Sequence, residues 1–258
     1  MVYHVLHISD CHLVAAGQLL LGVDTQASLQ AVLRQALAER EPDAVIASGD
    51  LAHDPMPQVY TRFVDTLRSY TDAPLLCLPG NHDVMVAMQA AEVPMAPVEV
   101  GPWSLVGLDS HEDDAPRALV TDMDRNAVAS AFALAPGAHC LVATHHPPVA
   151  VNCPWLDQDR IQNPEELLEW LSERSAIDGA ARLRCVVFGH THQVVDDVCS
   201  GVPVFGAPST CFQFAPDSAT FSIDALPPGY RWLALSADGG VESQVCRVET
   251  FPIQVQLK

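Results

Sequence analysis

Residues 2–13, VYHVLHISDCHL, run from an apolar, strand-like segment directly into three metal-binding side chains, Asp10, Cys11 and His12. Similar short runs rich in Val, Ile and Leu recur at 43–48 (DAVIAS), 74–78 (PLLCL), 103–108 (WSLVGL), 139–144 (HCLVAT) and 184–188 (RCVVF). Helix-period stretches lie at 25–40, 57–70, 122–134 and 165–174. The first carries Leu29, Val32, Leu33, Ala36 and Leu37 at the spacing of a core-facing stripe. Strands alternating with helices predict an α/β fold with a two-layer core wrapped by helices. From 203 onward the character changes. PVFGAPSTCFQF, TFSIDAL, YRWLALS and VESQVCRV read as short strands joined by Pro and Gly turns, which predicts a second, more antiparallel sheet there. The polar stretch 109–118 reads as an exposed loop.

The 258 residues, 49% of them hydrophobic, suffice for one large domain spanning 1–258, with 206–258 expected to complete the second sheet and the edge of a pocket. Acidic residues outnumber basic ones 32 to 13, for a net charge of −19, which would repel a polyanionic backbone. Polymeric nucleic acid is therefore excluded as an expected partner. The amino terminus lacks the pattern of a signal peptide, and no run approaches the roughly 18 apolar residues of a membrane span. Eight cysteines without a CxxC pair sit mostly in apolar contexts, as reduced, buried thiols of a cytoplasmic protein would.

Metal-binding types follow five strand candidates in turn: Asp10 and His12, then Asp50 after Gly49, then Asn81, His82 and Asp83 after Gly80, then His145 and His146, then His190 and His192 after Gly189. Each pattern alone is weak, because GD and GNHD are also ordinary turn sequences. Their common position makes the argument. In open α/β sheets the crevice beyond the carboxyl ends of the strands gathers loops distant in sequence. Even two of these carboxylates, four of the histidines and the asparagine exceed what one open ion would take, so a pair of ions is expected, with Asp50 able to bridge. Carboxylate, amide and imidazole without thiolate suit Mn, Fe, Zn or Co. An extended backbone past Ser9 would turn Asp10 and His12 to one side and Cys11 to the other. His145 and His146 should diverge in the same way, and either could be the ligand.

DxH, GD, GNHD, HH and GHxH in this order resemble the calcineurin-like metallophosphoesterase superfamily. LLGVDTQASLQAVL at 20–33, GAPSTCFQF at 206–214 and PPGYRWLAL at 227–235 are similar to its bacterial class III 3',5'-cyclic-AMP phosphodiesterases. The resemblance implies a four-layer α-β-β-α sandwich of two facing mixed sheets flanked by helices, with a dinuclear site at the strand ends. Carried over by motif, Asp10, His12 and His192 would hold one ion, Asn81, His145 and His190 the other, and Asp50 would bridge; the ligand two residues before a proline is His145. Two ions per chain are implied, Fe or Mn foremost, with Zn, Co or Mg as alternatives.

The implied reaction is hydrolysis of a cyclic nucleotide, foremost cyclic AMP, to the 5'-nucleotide. A water acidified between two ions would attack phosphorus in line with the leaving 3'-oxygen. His82 would protonate that oxygen or hydrogen-bond the phosphate, and Asn81, His82 and His192 would meet the substrate. His4, His7, His111 and His139 read as structural or solvent-facing, while His53 is open as a pocket residue. The alternatives are another small phosphodiester or a phosphoprotein as substrate, and a non-catalytic scaffold, which the intact motif set disfavours. A homodimer is open.

Overall fold

A computed structural model describes the chain except residues 112–117, 135–137, 176–180, 252, 254 and 256–258. The first half contains β1 (Val2–Ile8), α1 (Thr25–Glu39), β2 (Ala44–Ser48), α2 (Pro57–Arg68), β3 (Leu75–Leu78), α3 (Met85–Ala90), β4 (Val98–Val100), β5 (Trp103–Gly107) and α4 (Asp122–Leu134). There follow β6 (His139–Ala143), α5 (Pro164–Ser175), β7 (Arg182–Phe188), β8 (Val195–Cys199), β9 (Val202–Gly206), β10 (Gln213–Phe214), β11 (Ile223–Asp224), β12 (Gly229–Ser236) and β13 (Val241–Arg247).

One large sheet has the order β13-β12-β1-β2-β3 and the other β4-β5-β6-β7-β9-β8, beside a two-stranded sheet of β10 and β11. In the first, β1, β2 and β3 are parallel and β12 and β13 antiparallel; in the second, β5, β6, β7 and β9 are parallel between antiparallel edge strands. Val5, Ile46 and Leu76 from one sheet pack with Leu105, Leu141 and Val187 from the other in a shared apolar layer. On its outer face the first sheet packs Leu6 and Ile8 against Leu29, Val32 and Leu33 of α1 and Phe63 of α2. The second sheet packs Val142 and Val186 against Val128 and Phe132 of α4 and Leu168 and Leu171 of α5. Both faces of each central strand are therefore covered, which is why these strands read as continuous apolar runs. The α-β-β-α sandwich is the expected one.

The C-terminal segment departs in part from expectation: β10 and β11 pair antiparallel as a separate two-stranded sheet, but β12 and β13 extend the first sheet. β9 joins β7 in parallel, while β12 pairs antiparallel with the open edge of β1, Leu6 opposite Trp232 and Val5 opposite Leu233. Local strand signals do not specify the neighbouring strand, and β1 offered one unpaired edge. The elements without a sequence signal were β4 and α3, too short for periodicity, and β8, whose VDDVC is exposed at a sheet edge. Most of the expected loop at 109–118 lies outside the described residues.

Candidate metal centre

The parallel strands of both sheets release their loops at one edge. There the chain turns sharply: five of the ten described non-glycine residues with positive φ are Asp10 (53°), His12 (45°), Asp50 (49°), His190 (65°) and His192 (50°). Left-handed backbone costs about 1 kcal/mol or more per non-glycine residue, so strain is concentrated in this cluster. It also corrects the expected reason why Asp10 and His12 face together. The segment is not extended; left-handed residues on both sides of Cys11 aim the pair into the cluster and send the thiol, fully buried, into the helix-side core. The loop register is fixed by backbone bonds from Asp10 N–H to the Gly49 carbonyl (3.1 Å) and from His12 N–H to the Asp50 carbonyl (2.8 Å).

Two groups of lone pairs converge. In the first, His12 Nε2 lies 3.1 Å from His192 Nε2 and 3.6 Å from Asp50 Oδ2, and His192 Nε2 lies 3.3 Å from Asp10 Oδ1. In the second, Asn81 Oδ1 lies 3.1 Å from His145 Nε2 and 2.9 Å from His190 Nδ1, while His145 Nε2 is 3.6 Å from Asp50 Oδ1. Asp50 thus turns one oxygen to each group. Ligands bound at about 2.1 Å to one ion sit roughly 3 Å from one another when adjacent. The observed spacings match.

Tautomers support the same reading. His145 Nδ1 donates to the Ser48 carbonyl (2.8 Å) and His192 Nδ1 to the Phe212 carbonyl (2.6 Å), so each Nε2 is left as a bare lone pair aimed into the cluster. Burial, reinforced by neighbouring imidazoles, holds the pKa values of His12 and His190 well below the usual histidine range, keeping both rings neutral as ligation requires. For His145 burial pulls the other way from Asp50, Asp10 and the Ser48 carbonyl, which prevail and raise its pKa. Without a cation, several buried lone pairs and two carboxylates would face one another unshielded. The donor set fits a pair of metal ions.

All seven expected ligand positions are brought together. His146 is fully buried with its ring 4.9 Å from those of both His145 and His190, and its Nδ1 pairs with Ser110 Oγ at 2.9 Å. His82 is exposed at the mouth, its ring 5.0 Å from that of His12, and its N–H donates to Asp50 Oδ1 (2.9 Å). His53 stacks on His82 at 4.9 Å, so it stands behind that ring. His7 is buried against Ser48 Oγ (2.8 Å), and His139 is tied to Arg184 and to the Ala237 carbonyl; both are structural. A cavity of about 230 Å³ opens above the cluster, lined by Asn81, His82, His190 and His192 on its floor and by Trp155, Asp159, Phe214 and Phe221 at its sides.

Residues outside the expected ligand set support the cluster. Asp83 accepts from the N–H groups of Gly80 (2.8 Å), Leu51 (3.1 Å) and Ala52 (3.1 Å) and from Tyr60 Oη (2.9 Å), clasping the Asp50 loop to the Asn81 loop. Burial and the Asp50 carboxylate push its pKa up to about 7, against which the three backbone N–H donors act. Ser209 Oγ donates to the Asp10 carbonyl (2.8 Å), so the segment 206–214 supports the first group of ligands as well as bordering the pocket. The glycines preceding the ligands are steric requirements. A Cβ on Gly80 would overlap Asp50 Oδ1 and the Asp50 backbone nitrogen, which cannot yield as a flexible side chain would. Gly80→Ala is expected to cost about 1–3 kcal/mol, a fall in Tm of roughly 2–10 °C, together with loss of bound metal; thermal unfolding and metal analysis check this.

The calcineurin-like phosphoesterase model matches residues 3–194. The chain belongs to the calcineurin-like phosphoesterase family. Among curated relatives it is 36% identical to a 3',5'-cyclic adenosine monophosphate phosphodiesterase, CpdA, of Pseudomonas aeruginosa, over 97% of this chain and 92% of that one. It is 34% identical to a 3',5'-cyclic-nucleotide phosphodiesterase of Nostoc sp., over 97% and 94%. The sandwich also resembles the solved purple acid phosphatase PPD1 of yellow lupin at 12% identity, with a TM-score of 0.60 over 99% of this chain and 53% of that one. That distant likeness concerns the fold. As a calcineurin-like phosphoesterase, the chain carries side-chain groups able to hold metal where five of its strands end.

Proposed function

We propose that this chain is a two-metal phosphodiesterase that hydrolyses 3',5'-cyclic AMP to 5'-AMP in the cytoplasm. The observation that carries the metal chemistry is Asp50, which turns one carboxylate oxygen to each group of lone pairs. The cyclic-nucleotide substrate rests on relatives whose names specify it and which match over nearly their whole length. Asp10, His12 and His192 hold one ion, Asn81, His145 and His190 the other; Fe and Mn are the foremost candidates, with Zn, Co or Mg as alternatives. When bound, the ions supply Lewis acidity toward the phosphoryl oxygens and lower the pKa of water.

The chain's own residues orient and protonate. Asn81 turns its carbonyl oxygen to His145 and His190, which leaves its amide N–H₂ as the donor for a phosphoryl oxygen. His82, exposed beside His12, is placed to deliver a proton to the leaving 3'-oxygen. The buried walls of the cluster limit water access from below, so substrate enters through the cavity.

The test is to load the purified protein with Mn or Fe and measure metal stoichiometry and product identity. Two ions per chain and conversion of cyclic AMP to 5'-AMP are expected; one ion per chain, or no conversion with two bound, would overturn the proposal. Assaying bis-p-nitrophenyl phosphate alongside separates a different small diester as substrate. His145→Ala should lose an ion while His146→Ala keeps both, and the reverse result would exchange their roles.

A further inference from the structure

The side of the cavity away from the ligands is unlike its floor. Phe214 stacks on the ring of His192 at 4.0 Å, with 19° between the planes, so one face of this phenyl ring is already taken. Trp155 meets Phe214 edge-on at 4.9 Å and Phe221 at 5.6 Å, and Phe221 is half-exposed at the rim. The rings form an aromatic corner that begins at a ligand and opens outward. Trp155 sits on a built loop: the Asp157 carboxylate accepts from the N–H groups of Val151 (2.7 Å) and Cys153 (3.2 Å), and Asp159 N–H bonds the Leu156 carbonyl (3.0 Å).

Asp159 lines the same cavity, and its carboxylate has no hydrogen-bond or ion-pair partner among the described residues. Burial raises its pKa. A partly desolvated anion in a pocket that admits an anionic phosphodiester weakens binding unless it meets a donor on the neutral part of the ligand. An aromatic corner beside a lone acceptor is the recognition chemistry of a nucleobase with an amino group at its edge.

We propose that Trp155, Phe221 and Asp159 form the nucleobase subsite, the rings stacking on a purine and the Asp159 carboxylate accepting from the 6-amino group of adenine. The assignment rests on the cyclic-nucleotide reading above. A 6-oxo purine would turn a lone pair toward the same anion and be repelled, so Asp159 sets the choice between 6-amino and 6-oxo bases.

The metal-loaded full chain is assayed on cyclic AMP, cyclic IMP and bis-p-nitrophenyl phosphate, as wild type, Trp155→Ala and Asp159→Asn. Trp155→Ala should raise KM for cyclic AMP about tenfold, a stacking-sized loss, and by much less for the base-free diester. Asp159→Asn, which supplies an amide N–H, should shift the ratio of kcat/KM for cyclic AMP over cyclic IMP toward cyclic IMP by about tenfold. An unchanged ratio or an equal loss on the base-free diester would overturn the subsite. A wild type that turns over bis-p-nitrophenyl phosphate and neither cyclic purine nucleotide would instead overturn the cyclic-nucleotide reading.

Discussion

Asp50→Ala is expected to empty both halves of the metal centre, taking bound metal from two ions per chain to fewer than one and turnover of cyclic AMP down by about 10³-fold or more. The size follows from geometry. Asp50 Oδ2 faces His12 Nε2 and Asp50 Oδ1 faces His145 Nε2, both at 3.6 Å, so this one carboxylate serves the two groups at once. Losing a residue that only orients a ligand costs 10–100-fold in metal affinity, and Asp50 would be a ligand to two ions. The same carboxylate accepts from His82 N–H, so its removal also frees the turn that carries the proposed acid. Asp10→Ala removes the carboxylate 3.3 Å from His192 Nε2 and leaves Asp50 in place, and should lose one ion. Metal analysis on folded protein, with circular dichroism as the control for folding, decides the matter: an Asp50→Ala protein that retains two ions would remove Asp50 from the bridge.

How far such a site can be read from residues depends on the range of the physics involved. The strands β1, β2, β3, β5, β6 and β7 are buried on both faces toward their carboxyl ends, so each reads as a largely apolar run, and the ligand types follow five of them. That is local information and it was legible, as was the stripe of α1. Pairing is not local. Tyr230 to Leu235 look like any strand, and only the unpaired edge of β1 decides that they join the first sheet. Backbone handedness is equally silent: Asp10 and His12 were expected to share a side through an extended chain, whereas left-handed turns produce that outcome by another route. The glycines at 49 and 80 were readable as turn residues, but their need arises from ligands arriving from other loops. Trp155 and Asp159 belong to no motif, since a pocket wall requires only a suitable shape and charge in one place.

His82→Ala should leave both ions in place and lower kcat for cyclic AMP by about 10²- to 10⁴-fold, the range of a lost general acid. Its ring stands beside that of His12 and is exposed to the cavity, while the contact from residue 82 to Asp50 is made by the backbone N–H, which alanine retains. Metal content is therefore insulated from the substitution. Protonation and phosphate binding by this ring make different predictions. The 3'-alkoxide of ribose is a poor leaving group and needs a proton, whereas p-nitrophenolate departs without one. If His82 protonates the leaving oxygen, the loss should be large on cyclic AMP and small on bis-p-nitrophenyl phosphate. Equal losses on both substrates would make His82 a phosphate-binding residue. His53, stacked behind the ring at 4.9 Å, supplies the packing that holds it toward the floor of the cavity. His53→Ala should accordingly reproduce a fraction of the His82→Ala deficit with the same dependence on leaving group, and a deficit independent of the leaving group would show that the stacking does not act through His82.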